Sequence, residues 1–255
     1  CLSPEQPELT TLKQKFKHPP QDYLPAVYWF WNGRIDSMTV REQLNTMKES
    51  GTVSRVVILG WEGLETEYLS DEWFELVKYA CDTARELDLK IWLYDELRWP
   101  SGHAGGLVLK DNPEYQGKCL GQEIVTVNGG SVQIVELEGP PAAVLAVPEG
   151  SVQWHPDDIR DLTEECDDKR LSCQLPPGSW NLMIYYEKAC SFTTTFTEHF
   201  YADLLNPSAM QKFIRITYDA YYKRMPEYFG NVIETVITDE PGVYCDLKPW
   251  LINPQ

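Results

Sequence analysis

The sequence predicts a mixed α/β fold: a (β/α)8 barrel of the TIM type, only part of which lies in this chain, with a small all-β domain inserted into it. Two observations lead to this prediction. Between residues 26 and 94, apolar segments alternate with amphipathic helical segments, as in parallel sheets covered by helices. The alternation then stops, short β-type segments follow, and the α/β pattern resumes before residue 240.

Hydrophobic periodicity places the first three strands and two helices. Residues 26–31 form an apolar, aromatic segment, residues 53–59 a β-branched one, and residues 91–94 a third. Continuous apolar runs of this length are typical of strands that are covered on both faces. The helices between them are expected to be capped by Ser37 and Ser70, because a side-chain oxygen at this position accepts a free backbone N–H.

The middle of the chain has a different character. Residues 118–190 contain short β-type segments separated by turn residues, and no long helical pattern. A hairpin is predicted at Asn128-Gly129-Gly130. The alternative, a long decorated loop, is uncommon in compact domains. We therefore predict a small β domain inserted after the third strand.

The α/β pattern returns near residue 200. Residues 200–205 are predicted to be a strand, Asn206 and Pro207 to open a helix, and residues 232–238 to be another strand. This makes about five barrel strands where a closed barrel needs eight. The chain is therefore expected to be the front portion of a longer protein. The expected boundaries are 1–22 (lead-in or tether), 23–117 (first barrel units), 118–190 (β-rich domain) and 191–255 (further barrel units).

Composition excludes several classes of function. The net charge is −17, which argues against nucleic acid, since phosphates require clustered Lys and Arg. No apolar run approaches the roughly 20 residues of a membrane span. The cysteines lack metal-ligand spacing. A chain that begins with Cys1 fits a processed, lipid-anchored protein, and an arbitrary start of the sequence fits equally well.

Two predicted strands end in adjacent acids. Asp95 and Glu96 close the third strand, and Asp239 and Glu240 follow the last one. Because the carboxyl ends of parallel strands meet at one edge, where ligands bind, we expect a carboxylate-lined site there. Side chains alternate along a strand, so only one acid of each pair should face the site directly.

A series of motifs in the expected order resembles the N-terminal barrel region of the α-L-rhamnosidase-like glycoside hydrolases, family 106 and its uncharacterised relatives. The motifs are residues 28–33 (YWFWNG), 60–64 (GWEGL), 92–96 (WLYDE), 99–102 (WPSG), 203–207 (DLLNP) and 238–241 (TDEP). The resemblance implies a catalytic barrel, a sugar substrate and often calcium as cofactor. We expect an extracytoplasmic protein (secreted, periplasmic or lipid-anchored) that acts on plant or microbial polysaccharide. Family members are much longer than this chain.

Glycoside hydrolysis requires two carboxyl groups. Glu240 is the candidate proton donor, and Glu96 is the candidate second carboxylate, unless that group comes from sequence outside this chain. A structural or sugar-binding role for Asp95 and Glu96 is equally open. The candidate substrate-binding residues are Trp31, Asn32, Trp61, Glu62, Asp95, Trp99, His103 and Asp239. The competing hypothesis is a carbohydrate-binding protein without catalysis.

Overall fold

The computed structural model describes residues 9–150, 153–193 and 198–243. Among these described residues, 9–115 and 204–242 form one compact unit, and those between 116 and 203 belong to a second. Within the described ranges, no helix is both long and apolar enough to cross a membrane. Cys1 and its expected lipid anchor lie outside the described residues.

The described residues form five α-helices and twelve β-strands. They are α1 (Leu9–Lys17), β1 (Ala26–Trp31), α2 (Ser37–Glu49), β2 (Arg55–Gly60), α3 (Asp71–Glu86), β3 (Lys90–Leu97), β4 (Lys118–Asn128), β5 (Val132–Glu136), β6 (Ala143–Pro148), β7 (Arg160–Asp161), β8 (Arg170–Gln174), β9 (Ser179–Ala189), β10 (Ser191–Thr193), β11 (Glu198–Phe200), α4 (Pro207–Ile216), α5 (Tyr218–Arg224) and β12 (Ile233–Ile237).

The first unit is built on a parallel sheet with the strand order β1-β2-β3-β12. Trp29 pairs with Ile58 across β1 and β2, and Val236 pairs with Leu93 across β12 and β3. The α/β class and the first three strands and two helices are therefore confirmed. In the described part of the chain this sheet has four strands and does not close into a barrel, so the TIM architecture stays a prediction.

Helix caps follow local chemistry. Ser70 caps α3 as predicted, since its side chain accepts the N–H of Trp73 at 3.2 Å. The prediction for α2 was wrong by one residue: Asp36 is the cap, and its carboxylate accepts the N–H of Thr39 at 2.8 Å. A carboxylate at a helix N-terminus also interacts favourably with the helix dipole.

Strand β1 shows which face of the sheet the helices cover. Trp29 donates to Gln43 of α2 at 2.6 Å, and the ring of Trp31 lies 5.2 Å from that of Trp73 in α3. Both indoles are buried, whereas Tyr28 and Phe30 are exposed. Because side chains alternate along a strand, β1 presents one pair of aromatic residues to the helices and the other pair to the opposite face.

The strand predicted at residues 200–205 is wrong. β11 ends at Phe200 and pairs antiparallel with β10, and Ala202 forms an isolated bridge with Gln116. These backbone groups therefore join the two ends of the second unit and do not extend the parallel sheet. Asn206 does cap a helix, accepting the N–H of Ser208 at 3.0 Å, but the helical region divides at Thr217 into α4 and α5.

The second unit contains an antiparallel sheet with the order β4-β9-β6-β7 and a two-stranded sheet of β5 and β8. A buried cluster that includes Val144, Leu171 and Leu182 holds side chains of both sheets. The hairpin predicted at residues 128–130 is wrong, because β4 pairs with β9 and β5 with β8. A Cβ on Gly129 would lie 1.8 Å from the carbonyl oxygen of Pro176, so this passage between the sheets requires glycine.

Candidate active site

The acids predicted to lie at one edge of the sheet do meet there. β3 continues through Asp95 and Glu96, so both are strand residues, while Asp239 and Glu240 follow the end of β12. β3 and β12 are parallel neighbours, which brings their carboxyl ends together. The two acidic pairs differ sharply in exposure, however. Asp95 and Glu96 are completely buried, whereas Asp239 is half-buried and Glu240 is exposed.

Glu96 organises the loop that follows its own strand. Its Oε2 accepts the backbone N–H groups of residues 102–104 at 3.0, 2.9 and 2.7 Å. Its Oε1 accepts the N–H of Leu97 at 2.9 Å and the N–H of Gly105. Both carboxylate oxygens are therefore occupied by backbone donors. This arrangement fits a structural anchor and argues against the predicted role of Glu96 as second catalytic carboxylate.

His103 completes this anchor. Its Nδ1 lies 3.1 Å from Oε2 of Glu96, its ring also bonds the carbonyl of Pro100, and the residue is 7% exposed. Burial alone would lower the pKa of His103, but the Glu96 carboxylate outweighs burial and raises it. Burial would likewise raise the pKa of Glu96, and the charge and hydrogen bonds of His103 lower it overall. The buried imidazole is thus not available to a sugar, contrary to the sequence prediction.

This ion pair predicts how stability depends on pH. The lowered pKa of Glu96 gives stabilisation that is present above its ordinary value of 4.5 and is lost as pH falls through the folded value. The raised pKa of His103 gives stabilisation that is present below 6.5 and is lost as pH rises through the folded value. The pair should therefore stabilise the first unit most between pH 4.5 and 6.5. Thermal unfolding of wild type and His103→Asn across this range and above it measures the difference.

The Tm of wild type should decrease as pH rises above 6.5, and the Tm of His103→Asn should decrease less over the same range. His18→Asn is the matched control, because His18 is exposed at the end of α1. Parallel Tm curves for wild type and His103→Asn would mean that the imidazole stays neutral in the folded protein.

Asp95 forms a second buried cluster, directed toward β12 and α5. Its Oδ1 accepts the hydroxyl of Ser101 at 2.5 Å, and its Oδ2 accepts those of Tyr218 and Thr238 at 2.6 Å each. Burial raises the pKa of Asp95, and these three hydrogen bonds oppose the rise. Since both oxygens are occupied, the predicted contact of Asp95 with substrate is not supported. Three hydroxyl partners hold it inside the protein.

Ser101 links this cluster to the end of β12. Its Oγ accepts the backbone N–H of Asp239 at 3.0 Å, and its own backbone N–H donates to the carbonyl of Asp239 at 2.9 Å. The residue is fully buried. Ser101, Thr238 and Tyr218 were not among the predicted site residues. The signals available in the sequence were the positions of Ser101 and Thr238 inside the motifs at residues 99–102 and 238–241.

Asp239 and Glu240 form the accessible part of the site. The hydroxyl of Tyr28 lies 3.5 Å from Oδ2 of Asp239. The pKa of Tyr28 is raised first by burial and then by the negative charges of Asp239 and Glu240. Both carboxylates therefore favour the neutral, protonated form of the Tyr28 hydroxyl. The backbone of Glu240 has a φ of 48°, in the left-handed region that non-glycine residues rarely adopt.

An aromatic shelf lies at the same edge of the sheet; we use this name for Tyr28, Phe30, Trp61 and Trp99. The ring of Phe30 lies 5.9 Å from that of Tyr28, 5.2 Å from Trp61 and 6.3 Å from Trp99, and the two indoles are 4.1 Å apart. Tyr28, Phe30 and Trp99 are 46%, 40% and 38% exposed. Large aromatic faces left in solvent favour a binding surface.

The shelf corrects one predicted site residue. Trp31 is fully buried on the helix side of β1 and cannot contact a ligand at the other face. Its place is taken by Tyr28 and Phe30, which lie on the opposite side of the same strand. Asn32 and Glu62 are exposed in the adjoining loops, and Glu62 accepts from Arg98 at 2.9 Å.

The residues were also compared with the ligand chemistry of calcium. In the described part of the chain, no group of three or more His, Cys, Asp or Glu side chains is gathered as metal ligands. Calcium prefers six to eight oxygen ligands, many of them carboxylates. The described residues offer no gathered set of carboxylates for calcium, and a calcium site stays a prediction.

Comparison with known proteins finds similarity to proteins with glycosidase names. No family model matches the chain. Over 165 residues the chain is 26% identical to a protein of Formosa agariphila named "Putative beta-glucuronidase"; the match covers 60% of this chain and 14% of that protein. A solved rhamnosidase structure from Novosphingobium sp. PP1Y superposes with a TM-score of 0.58 at 14% identity, covering 92% of this chain and 40% of that one.

Both similar proteins carry glycosidase names, and the chain spans less than half the length of each. The structural match shows a shared fold with the rhamnosidase. The resemblance predicted from the sequence motifs is therefore confirmed at the level of the fold.

Proposed function

We propose that this chain forms part of a (β/α)8-barrel glycoside hydrolase that cleaves a glycosidic bond in plant or microbial polysaccharide. An α-L-rhamnoside is the first candidate substrate. The observation that carries the proposal is the position of Asp239 and Glu240 beside the aromatic shelf. Exposed aromatic faces can stack on sugar rings, and an accessible carboxylic acid next to them can protonate a glycosidic oxygen.

Glu240 is the proposed proton donor. It protonates the leaving oxygen while a second carboxylate either attacks the anomeric carbon or activates a water molecule. Asp95 and Glu96 are poor candidates for the second role, since their oxygens are already bonded within the protein. Asp239 adjoins Glu240 in sequence and contacts Tyr28. We therefore assign the second carboxylate to sequence outside the described residues.

The proposed site of action is outside the cytoplasm, where polysaccharides are met. A secreted, periplasmic or lipid-anchored protein would meet this requirement, and Cys1 is the residue that would carry the lipid. Mass spectrometry of the protein purified from its own cells would detect a lipid on Cys1.

A non-catalytic carbohydrate-binding protein is the second candidate. The specific observation in its favour is that the described residues form an open four-stranded sheet in which Glu96 is engaged as a structural anchor. In that case the aromatic shelf would still bind sugar. The protein would have no hydrolytic activity, with or without Glu240.

The test uses the complete protein in which this chain occurs with three probes: 4-nitrophenyl α-L-rhamnoside, 4-nitrophenyl β-D-glucuronide and a rhamnose-containing plant polysaccharide. Product release is followed by absorbance or as reducing sugar, and binding by calorimetry. Release from any probe supports hydrolysis. Binding without release supports the second candidate, and neither binding nor release contradicts both.

The aromatic shelf predicts a specific loss of binding. Trp99→Ala removes an indole that is 38% exposed and should weaken binding of the polysaccharide by about tenfold, the effect of one lost stacking contact. Trp154→Ala is the matched control, because Trp154 has a similar exposure of 42% and lies in the second unit. Equal affinities of the two variants in calorimetry would exclude the shelf as the binding surface.

A further inference from the structure

The end of β12 is held by side chains from outside that strand. β12 stops at Ile237, yet Thr238 and Asp239 remain fixed by hydrogen bonds to Asp95 and Ser101. Glu240 is the next residue, and its φ of 48° lies in a region that needs external support. We propose that Ser101, oriented by Asp95, is a positioning residue for the carboxyl group of Glu240. This inference depends on the proposed function, in which Glu240 is the acid.

The geometry gives Ser101 a defined part in this arrangement. Its hydroxyl donates to Asp95 and accepts from the N–H of Asp239, while its own N–H donates to the carbonyl of Asp239. Both backbone groups of Asp239 are therefore bonded to one fully buried residue. Since Glu240 follows directly, the direction of its side chain depends on this double hydrogen bond.

The hydrogen bonds of Asp95 are independent of those that hold the rest of the loop. The backbone of residues 102–105 is held by Glu96, and Tyr218 bonds Asp95 independently of Ser101. Loss of the Ser101 hydroxyl should therefore leave the loop and α5 in place. What it releases is the N–H of Asp239, while the Asp239 carbonyl keeps its bond to the Ser101 N–H and Thr238 keeps its bond to Asp95.

The experiment compares wild type, Ser101→Ala and Ser101→Thr, which keeps the hydroxyl. Ser54→Ala is the matched control, because Ser54 is also buried and hydrogen-bonded, but its hydroxyl donates to the carbonyl of Leu24 at the opposite edge of the sheet. Hydrogen exchange is measured on the peptide that contains residues 238–241. Turnover is measured on 4-nitrophenyl and methyl α-L-rhamnoside, or on the corresponding glycosides of whichever sugar wild type releases.

Ser101→Ala should speed exchange at Asp239 and lower kcat by roughly 10- to 100-fold with little change in KM, as for a misplaced catalytic group. The loss should be larger on the methyl glycoside, because its poor leaving group depends more on proton donation. Ser101→Thr should recover most of kcat, and Ser54→Ala should keep wild-type kcat. A Ser101→Ala enzyme with wild-type kcat, or with equal losses on both substrates, would overturn the inference.

Two further outcomes are distinguishable. If Ser101→Ala fails to fold, Ser101→Cys takes its place: the thiol nearly preserves the size of the side chain but is only a weak donor to Asp95 and a weak acceptor for the Asp239 N–H. The same loss on the methyl glycoside is then expected, and its absence contradicts the inference. If wild type itself releases no sugar, the proposed function fails and the positioning role fails with it, even where exchange at Asp239 responds to the variant.

Discussion

Replacing Glu240 with Gln is expected to lower kcat on a methyl glycoside by about 10²- to 10⁴-fold, the usual contribution of a positioned acid. The amide has nearly the same shape as the carboxyl group but carries no transferable proton, so polysaccharide binding should remain. The 4-nitrophenyl glycoside should be affected much less, because its phenolate leaves without full protonation. Steady-state rates on both substrates, together with calorimetric binding, measure this pattern.

Glu65→Gln provides the control for the change in charge. Glu65 is an exposed acid in the loop after β2, in the same unit as Glu240, and should be dispensable for turnover. Equal activity of Glu240→Gln and wild type on the methyl glycoside would remove Glu240 from the mechanism. An equal loss on both substrates would indicate a defect other than missing proton donation.

Replacing Glu96 with Ala should cause a large loss of stability. Five backbone N–H groups lose their acceptor, and the buried His103 loses its carboxylate partner. Removing one partner of a buried ion pair typically lowers the free energy of unfolding by about 3–5 kcal/mol. Typical domains have only about 5–15 kcal/mol in total, so the first unit should be close to unfolding. Urea unfolding followed by tryptophan fluorescence measures the change.

Glu86→Ala is the matched control for this prediction. Glu86 pairs with Arg41 at 2.9 Å, but the two side chains are 59% and 42% exposed. Solvent screens such a pair, and its loss should change the free energy of unfolding far less than the loss of Glu96. Similar midpoints for the two variants would show that water or another acceptor can replace the Glu96 carboxylate.

The sequence was sufficient for the parallel sheet and for the edge at which the acids gather, because periodicity and chain order determine both. It was not sufficient to tell which side chains of β1 face the helices. Residues 28–31 are all aromatic, so alternation alone does not tell which pair lies against the helices. Only the packing of Trp29 on α2 and of Trp31 on α3 decides that Tyr28 and Phe30 face outward.

Hydrophobic periodicity also could not predict the direction in which the Glu96 side chain points. A strand-end carboxylate can point to solvent or to the following loop, and the path of the loop decides between them. Gly102 and Gly105 have positive φ values of 130° and 60°, which turn successive N–H groups toward one point. Two glycines shortly after an acid were thus a usable signal for an anion-binding loop, and the acid it binds belongs to the protein itself.

The two ends of the β-rich unit are hydrogen-bonded to each other. Gly117 donates to the carbonyl of Tyr201 at 2.9 Å, next to the bridge between Gln116 and Ala202. The entropy cost of joining β3 to β12 therefore depends on the residues outside this closure, 98–115 and 203–232, and hardly on the length of the insertion. In evolutionary terms, such a segment can be acquired, enlarged or exchanged as a module while the chain on either side keeps its register in the parallel sheet.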